Sequence, residues 1–126
     1  MRELHFSPHQ RLMIAEINLA YRTDIVLMDG IEAFVTRGPE DGEKVSPGVM
    51  LAGRDRVAVD AVSVAILRYY GTTRDVNEGK IFAQQQIARA AELGIGVRSA
   101  EDIELVPIDA ETQEFTGQIN KILAEG

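Results

Sequence analysis

The stretch Val49-Met-Leu-Ala-Gly-Arg-Asp-Arg-Val-Ala-Val-Asp-Ala-Val-Ser-Val-Ala-Ile-Leu67 decides the fold of this chain. The stretch begins in residues 48–53, a short apolar run closed by a glycine, which predicts a buried strand. It ends in residues 56–70, which are apolar on nearly every side and predict a helix at the centre of the core. Asp55 lies at the junction, where its carboxylate can cap the helix by accepting hydrogen bonds from the first-turn N–H groups.

Outward from this stretch, strand and helix patterns alternate along the chain. The apolar run 24–29 predicts a strand buried on both faces, as in parallel sheets. Helices are predicted over residues 7–21, 80–93 and 110–124, a further strand over 103–108, and either a short helix or a strand over 31–35. The alternation predicts one α/β domain, residues 1–126, with a small, mostly parallel sheet of about three to four strands flanked by helices. Because a small sheet has open edges, we expect pairing with a second copy or with a missing half.

Composition and charge narrow the classes of partner and location. The chain has 126 residues, 45% of them hydrophobic, and a formal net charge of -7. This acidity argues against nucleic acid and against anionic membrane surfaces, since both attract clustered lysine and arginine. No apolar run approaches the roughly 20 residues of a membrane span, and the first residues lack signal-peptide features, so a cytoplasmic location is expected. The absence of cysteine excludes an iron–sulfur cluster held by this chain alone.

Two strand ends supply the first candidate site. In a parallel sheet the carboxyl ends of strands share one edge, where α/β proteins bind ligands. Asp29-Gly30 ends one predicted strand and Gly53-Arg54-Asp55 ends the next, so we expect these residues to converge. Asp29 and Asp55 could coordinate a hard cation such as Mg²⁺, and an anion at the helix start would offset the charge of Arg54. The structural alternative is that Asp55 only caps, Asp29 only forms a turn and Arg54 faces solvent.

Asp60 is the only acid in an otherwise apolar helix. A carboxylate in such a setting needs a partner, because burying an unpaired charge is costly. A salt bridge to Arg56, one turn earlier, is one solution, a backbone donor is a second, and ligation of a metal ion is a third.

Three further features of the sequence bear on function. His5, ahead of the first helix, is a candidate acid, base or ligand, and the alternative is an ordinary exposed histidine. Gly38 begins a Gly-Pro loop that resembles a flexible substrate cover and carries no nucleotide-binding pattern. Gln84, Gln85 and Gln86 are predicted to lie on a solvated or interface face.

Several blocks together resemble the C-terminal part of an uncharacterised family known as domain of unknown function 362. The blocks are His5 before a helix, Met13–Asn18, Ile25–Ile31 with its Asp-Gly-Ile, Gly38-Pro39 with Gly42, Leu51–Ala61 with its Asp-x-Val-Ala-Val-Asp, and Ala90–Gly96. Members of that family are usually longer, with another α/β portion before this region, and some carry ferredoxin-type cysteine clusters. The resemblance therefore implies a C-terminal half of a longer architecture and draws attention to His5, Asp29, Gly38, Asp55 and Asp60. It implies redox association and supplies no established reaction. The family commonly has proline where Arg56 stands, so Arg56 is a weaker candidate for a shared functional residue.

Two hypotheses from different classes follow. The first is an enzyme or enzyme fragment that binds a metal ion or an anion-containing ligand, with His5 and Asp29 as candidate catalytic residues. Its candidate ligand-binding residues are Gly30, Gly38, Gly53, Arg54 and Asp55, and its candidate metal ligands are Asp29, Asp55 and Asp60. The second is a non-catalytic α/β module for assembly or partner binding, whose acids are caps and salt bridges.

Overall fold

The computed structural model describes residues 2–37 and 41–126, and its core forms around one helix. Helix α3, Arg56–Tyr70, begins after Asp55 and ends at Gly71, whose positive φ of 81° suits glycine. The buried side chains of the core cluster come from α3 and from later segments of the chain: Val57, Ala61, Val62, Val64, Ala65, Ile66, Ile81, Ile87, Ile119 and Leu123. The predicted central, buried helix over residues 56–70 is confirmed.

The remaining elements are short. In chain order the α-helices other than α3 and the strands are α1 Arg2–His5, α2 Gln10–Ile17, β1 Val26–Gly30, β2 Ala33–Phe34, β3 Lys44–Val45, β4 Val49–Gly53, α4 Arg74–Asn77, α5 Gln85–Glu92 and α6 Ala110–Glu125. Single turns of 3-10 helix occupy Asn18–Ala20, Ile81–Ala83 and Ala100–Asp102. The mixture of helices and strands confirms the α/β class at this level.

The prediction of a mostly parallel sheet is wrong for the described residues. Strands β1 and β4 form an antiparallel ribbon, with Val26 opposite Gly53 and Gly30 opposite Val49. Strands β2 and β3 form a second antiparallel pair. Neighbouring parallel strands need a long crossover, usually a helix. Here the connection between β1 and β4 contains the β2–β3 pair, so the chain turns back and β4 runs against β1. The strand alternative for residues 31–35 is thereby confirmed.

The predicted third strand, residues 103–108, does not join a sheet in the part of the chain that the structure describes. Ile103 and Leu105 pack against the core, whereas Val106 and Ile108 are exposed. Pro107 lacks the N–H group that a strand would donate to a neighbour, which disfavours pairing here. The alternating pattern thus reflects one buried face of an irregular segment.

The predicted helix over residues 80–93 is divided into two pieces at Gln84. Gln84 has a ψ of 131°, which ends the turn Ile81–Ala83 before α5 begins. Its side chain is only 7% exposed and bonds to neighbouring segments, so the break places a polar group inside the fold. The predicted solvated or interface position is therefore wrong for Gln84, and it holds for Gln85, which is exposed.

Helix packing leaves a space beside α3. Helix α2 packs on α5, while α3 packs against α5, α6 and the inner face of the β1–β4 ribbon. The side chain of Arg89 on α5 pairs with Glu16 on α2 at 2.8 Å. None of the helices in the described ranges combines the length and apolar character that a membrane span requires.

Candidate functional site

A cavity of about 480 Å³ lies among α2, α3 and α5, and we call it the interhelical cavity. Its volume falls in the range of small-molecule sites, and like most of them it has mainly apolar walls with a few polar groups. The apolar lining residues include Ile14, Val57, Val64, Leu67, Ile87 and Ile95. The polar lining residues are Arg11, Asn18, Arg56, Asp60, Ser63, Gln84 and Gln86.

The first cation of the cavity, Arg11 on α2, is held by Gln84. Arg11 Nη1 donates to Gln84 Oε1 at 3.2 Å. Gln84 Nε2 in turn donates to the backbone carbonyl of Asp75 at 3.2 Å. Both ends of the Gln84 amide are therefore bonded, and the Arg11 guanidinium keeps further N–H groups for another acceptor.

The second cation, Arg56, begins α3 and turns toward the end of α2. Its Nη1 donates to the backbone carbonyl of Asn18 at 2.9 Å and to Asn18 Oδ1 at 3.0 Å. Its guanidinium lies over the ring of Tyr21, 5.2 Å from the ring centroid. The expected salt bridge between Arg56 and Asp60 does not form, because Arg56 is engaged by Asn18 and Tyr21. Among the described residues, neither Arg11 nor Arg56 lies within ion-pair distance of a carboxylate.

Asp60 lines the same cavity one helical turn after Arg56. Burial raises the pKa of its carboxyl above the usual 3.8, and contact with the side-chain amide of Gln86 offsets part of this rise. The Gln86 Oε1 atom is fully buried and has no hydrogen-bond donor within the described part of the chain. Asp60 and Gln86, which both belong to the cavity lining, thus carry acceptor oxygens close to each other.

Asp55 has a role that is visible in both of its carboxylate oxygens. Oδ1 accepts from the N–H of Ala58 at 2.9 Å and caps α3, as the sequence predicts. Oδ2 accepts from the N–H of Val97 at 2.9 Å, in the turn that follows α5. Asp55 therefore joins the start of α3 to a segment 42 residues further along the chain. This connection was not predicted.

The expected meeting of Asp29 with Asp55 does not occur. In the β1–β4 ribbon, Asp29 lies opposite Met50, whereas Gly53 lies opposite Val26. The two aspartates consequently lie toward opposite ends of the ribbon, and three residue steps separate Asp29 from Val26, roughly 10 Å. Asp29 Oδ1 accepts from the N–H of Ile31 at 2.9 Å, in the manner of a turn-forming residue. The antiparallel direction of β4 is the cause.

The two glycines of this expected site are packed closely by side chains. A Cβ at Gly30 would lie 3.1 Å from Val49 Cγ2, and a Cβ at Gly53 would lie 2.9 Å from Val59 Cγ2. Both positions therefore require close approach of the backbone to a valine. Gly53, Arg54 and Asp55 also line a smaller cleft of about 280 Å³ beside Ile103–Leu105. A ligand at these residues stays a prediction.

His5, another residue predicted from the sequence, does not line the cavity. His5 ends α1 and is exposed. Gly38 lies outside the described residues. Across residues 2–37 and 41–126, no three histidine, aspartate or glutamate side chains come close enough together to hold a metal ion. A divalent cation at Asp29, Asp55 or Asp60 stays a prediction.

Sequence reasoning missed five polar residues of the cavity, namely Arg11, Asn18, Ser63, Gln84 and Gln86. Gln84 gave a signal, because it interrupts an otherwise apolar helical stripe. Arg11 and Gln86 gave none, since a single arginine or glutamine on an amphipathic helix is ordinarily solvated.

The described residues define a small α/β fold with a ligand-sized space among its helices, mainly apolar and lined by a few polar groups. The sequence model of the family described as domain of unknown function (DUF362) matches residues 1–65, just over half of the chain, and the chain belongs to this family. The match includes Arg11, Asp55, Arg56 and Asp60, and it ends before the segments that supply Gln84 and Gln86. No curated protein and no solved structure matches the chain.

Proposed function

We propose that this domain binds a small ligand with an anionic group in the interhelical cavity, where Arg11 and Arg56 hold that group. The observation that carries the proposal is that two guanidinium groups line one mainly apolar cavity and neither is paired with a carboxylate of the described chain. Guanidinium groups bind carboxylate and phosphate with charge-assisted hydrogen bonds, which are stronger in a partly buried setting. The sequence predicts an anion near the strand ends, and the proposed anion site lies in the interhelical cavity instead.

The two cations are positioned before a ligand arrives. Gln84 orients Arg11, and Asn18 with the Tyr21 ring orients Arg56. Because these partners are neutral, they fix each guanidinium without neutralising its charge. Preorganisation of this kind favours binding, since less side-chain freedom is lost when the ligand enters.

Ligand-induced changes in the amide NMR spectrum, with short carboxylates and inorganic phosphate as probes, test the proposal. We expect saturable shifts around the cavity and loss of affinity in the Arg11→Gln and Arg56→Gln variants. Arg54→Gln is the matched control, because Arg54 is exposed, lies two residues from Arg56 and does not line the cavity. Equal affinity in all three variants and the unchanged chain would contradict the proposal, as would saturable binding elsewhere only.

A second candidate function is supported by the outer face of the β1–β4 ribbon. Ile25, Leu27 and Met50 are between 61% and 64% exposed there or at the ribbon's start. Clustered exposed apolar side chains on a two-stranded ribbon are typical of a surface covered by another chain. This observation supports the assembly alternative, with a second copy of the chain as the partner. Sedimentation velocity tests it: we expect a dimer that the Leu27→Lys and Met50→Lys changes convert to monomer, and a monomeric unchanged chain would contradict it.

A further inference from the structure

We infer that the ligand of the interhelical cavity is amphoteric: an α-amino acid, or a molecule with that arrangement of charges, that carries an apolar side chain. This inference rests on the proposed function and adds the second half of the ligand. Arg11 and Arg56 bind its carboxylate, whereas Asp60 and Gln86 accept hydrogen bonds from its amino group.

The side chain of Gln86 carries a hydrogen-bond acceptor that has no partner among the described residues. Gln86 Oε1 is fully buried, yet no donor of the described chain reaches it. Buried polar atoms in native proteins nearly always have a partner, and each exception calls for an explanation, such as a ligand. The missing partner must be a donor, since a carbonyl oxygen only accepts. An ionised carboxylate cannot supply it, because it only accepts hydrogen bonds.

The carboxylate of Asp60 is the neighbour of this Gln86 side chain. Asp60 lines the cavity beside the Gln86 amide, and its burial disfavours the ionised form. The charged groups that line the cavity with it are Arg11 from α2 and Arg56 from its own helix, and neither pairs with it. An ammonium group placed here would give Asp60 a charged partner and would donate to Gln86 Oε1 through another of its three N–H bonds.

The spacing of Arg56 and Asp60 suits a ligand that carries both charges close together. Arg56 and Asp60 are four residues apart on one helix, so their Cβ atoms are roughly 6 Å apart on the same face. A ligand with both charges on one carbon atom can reach the two side chains at once. A ligand whose only polar group is a carboxylate would place negative charge near Asp60 and leave Gln86 Oε1 unpaired. A ligand with only an amino group would leave both guanidinium groups without an anionic partner.

Most of the cavity wall is apolar. Side chains such as Ile14, Leu67 and Ile95 surround the polar groups of the cavity. They favour a hydrocarbon or aromatic side chain, because water leaves both surfaces when it binds. The volume of about 480 Å³ accommodates a side chain as large as that of leucine or phenylalanine.

Two matched series of probes test the inference on the unchanged chain. The first compares leucine with isocaproate, which lacks the amino group, and isoamylamine, which lacks the carboxylate. The second compares phenylalanine with hydrocinnamate and phenethylamine. We expect each amino acid to bind about ten-fold more tightly than either relative, because it alone bonds at both halves.

The outcomes separate the inference from the proposed function. If isocaproate and hydrocinnamate bind as tightly as the amino acids, the inference is overturned and the anion site stands. If only the amines bind, or if nothing in either series binds, the inference is overturned, and the proposed anion site is overturned with it only if inorganic phosphate also fails to bind.

Substitution of Asp60 or of Gln86 gives a second test. Because two different variants are used, the test still applies if one of them does not fold. In Asp60→Asn and in Gln86→Leu, we expect the affinity for leucine to fall to that for isocaproate, while isocaproate binds at least as well as before. Gln85→Leu is the control, since Gln85 is exposed on the same turn. Unchanged leucine affinity in a folded Asp60→Asn or Gln86→Leu variant would overturn the inference.

Discussion

The carboxylate of Asp55 lies directly against the backbone of Gly96, so that no side chain fits between them. A Cβ at Gly96 would be 2.7 Å from Asp55 Oδ2 and 2.8 Å from its Cγ. The adjoining N–H of Val97 donates to the same oxygen at 2.9 Å. This contact fixes the turn after α5 to the start of α3, and both helices line the interhelical cavity. The cavity therefore depends on a bond outside it.

Removing the Asp55 carboxylate should destabilise the fold more than loss of a helix cap alone. For Asp55→Ala we expect the free energy of unfolding to fall by about 2 kcal/mol, from the cap and the lost bond to Val97 together. Urea unfolding followed by circular dichroism measures this. Asp109→Ala is the matched control, because Asp109 caps α6 through Thr112 at an exposed site without a second segment. Equal losses in the two variants would show that the bond to Val97 contributes nothing.

The close approach at Gly96 predicts an effect of opposite sign at two glycines. Gly96→Ala should lower the free energy of unfolding by about 1 to 3 kcal/mol, since the new methyl group must displace the Asp55 carboxylate. Gly117→Ala should raise it by about 0.5 to 1 kcal/mol, because Gly117 lies within α6 and a Cβ there meets nothing within 4 Å. Chemical denaturation of the two variants decides this. A neutral Gly96→Ala variant would show that the turn moves away without cost.

The buried amide of Gln84 predicts a larger effect than its exposed neighbour. Gln84→Leu leaves the carbonyl of Asp75 and the guanidinium of Arg11 without their partner. We expect a loss of about 1 to 2 kcal/mol in the free energy of unfolding. Gln85→Leu, the control, should change it by less than about 0.5 kcal/mol. A loss of similar size in both variants would count against a structural role for the Gln84 bonds.

The raised pKa of Asp60 predicts a pH dependence of stability. Because the folded chain binds this proton more tightly than the unfolded chain, the contribution of Asp60 is fully present below pH 3.8 and is lost as the pH rises through the raised pKa. Above that pKa the buried charge disfavours the fold. Asp60→Asn should therefore be more stable than the unchanged chain at neutral pH, and the difference should shrink as the pH falls toward 3.8.

Thermal unfolding of both chains between pH 4 and pH 8, without added amino acids, checks this expectation. A constant difference in stability across that range would contradict the assignment to Asp60. A saturating ligand with an ammonium group should reduce the advantage of Asp60→Asn at neutral pH, since it stabilises the ionised carboxylate.

Local pattern predicted the parts of this protein that depend on neighbouring residues. The helix over residues 56–70, its capping by Asp55 and the terminal helix over residues 110–124 are all confirmed. Each depends on contacts within a few residues or on one apolar face, and a sequence displays such features directly. The continuous apolar run of β1 was the misleading case, because it predicted burial on both faces. Leu27 is instead 63% exposed.

The sequence by itself determined the central helix, its start, the α/β class and the family. Only the tertiary structure decided the direction of β4 against β1, which separates Asp29 from Asp55. It also decided which polar residues share a space, since Arg11 and Gln84 are 73 positions apart. Strand direction follows from the path of the intervening chain, and a cavity follows from how helices pack. Both depend on contacts between distant residues, and no local periodicity records them.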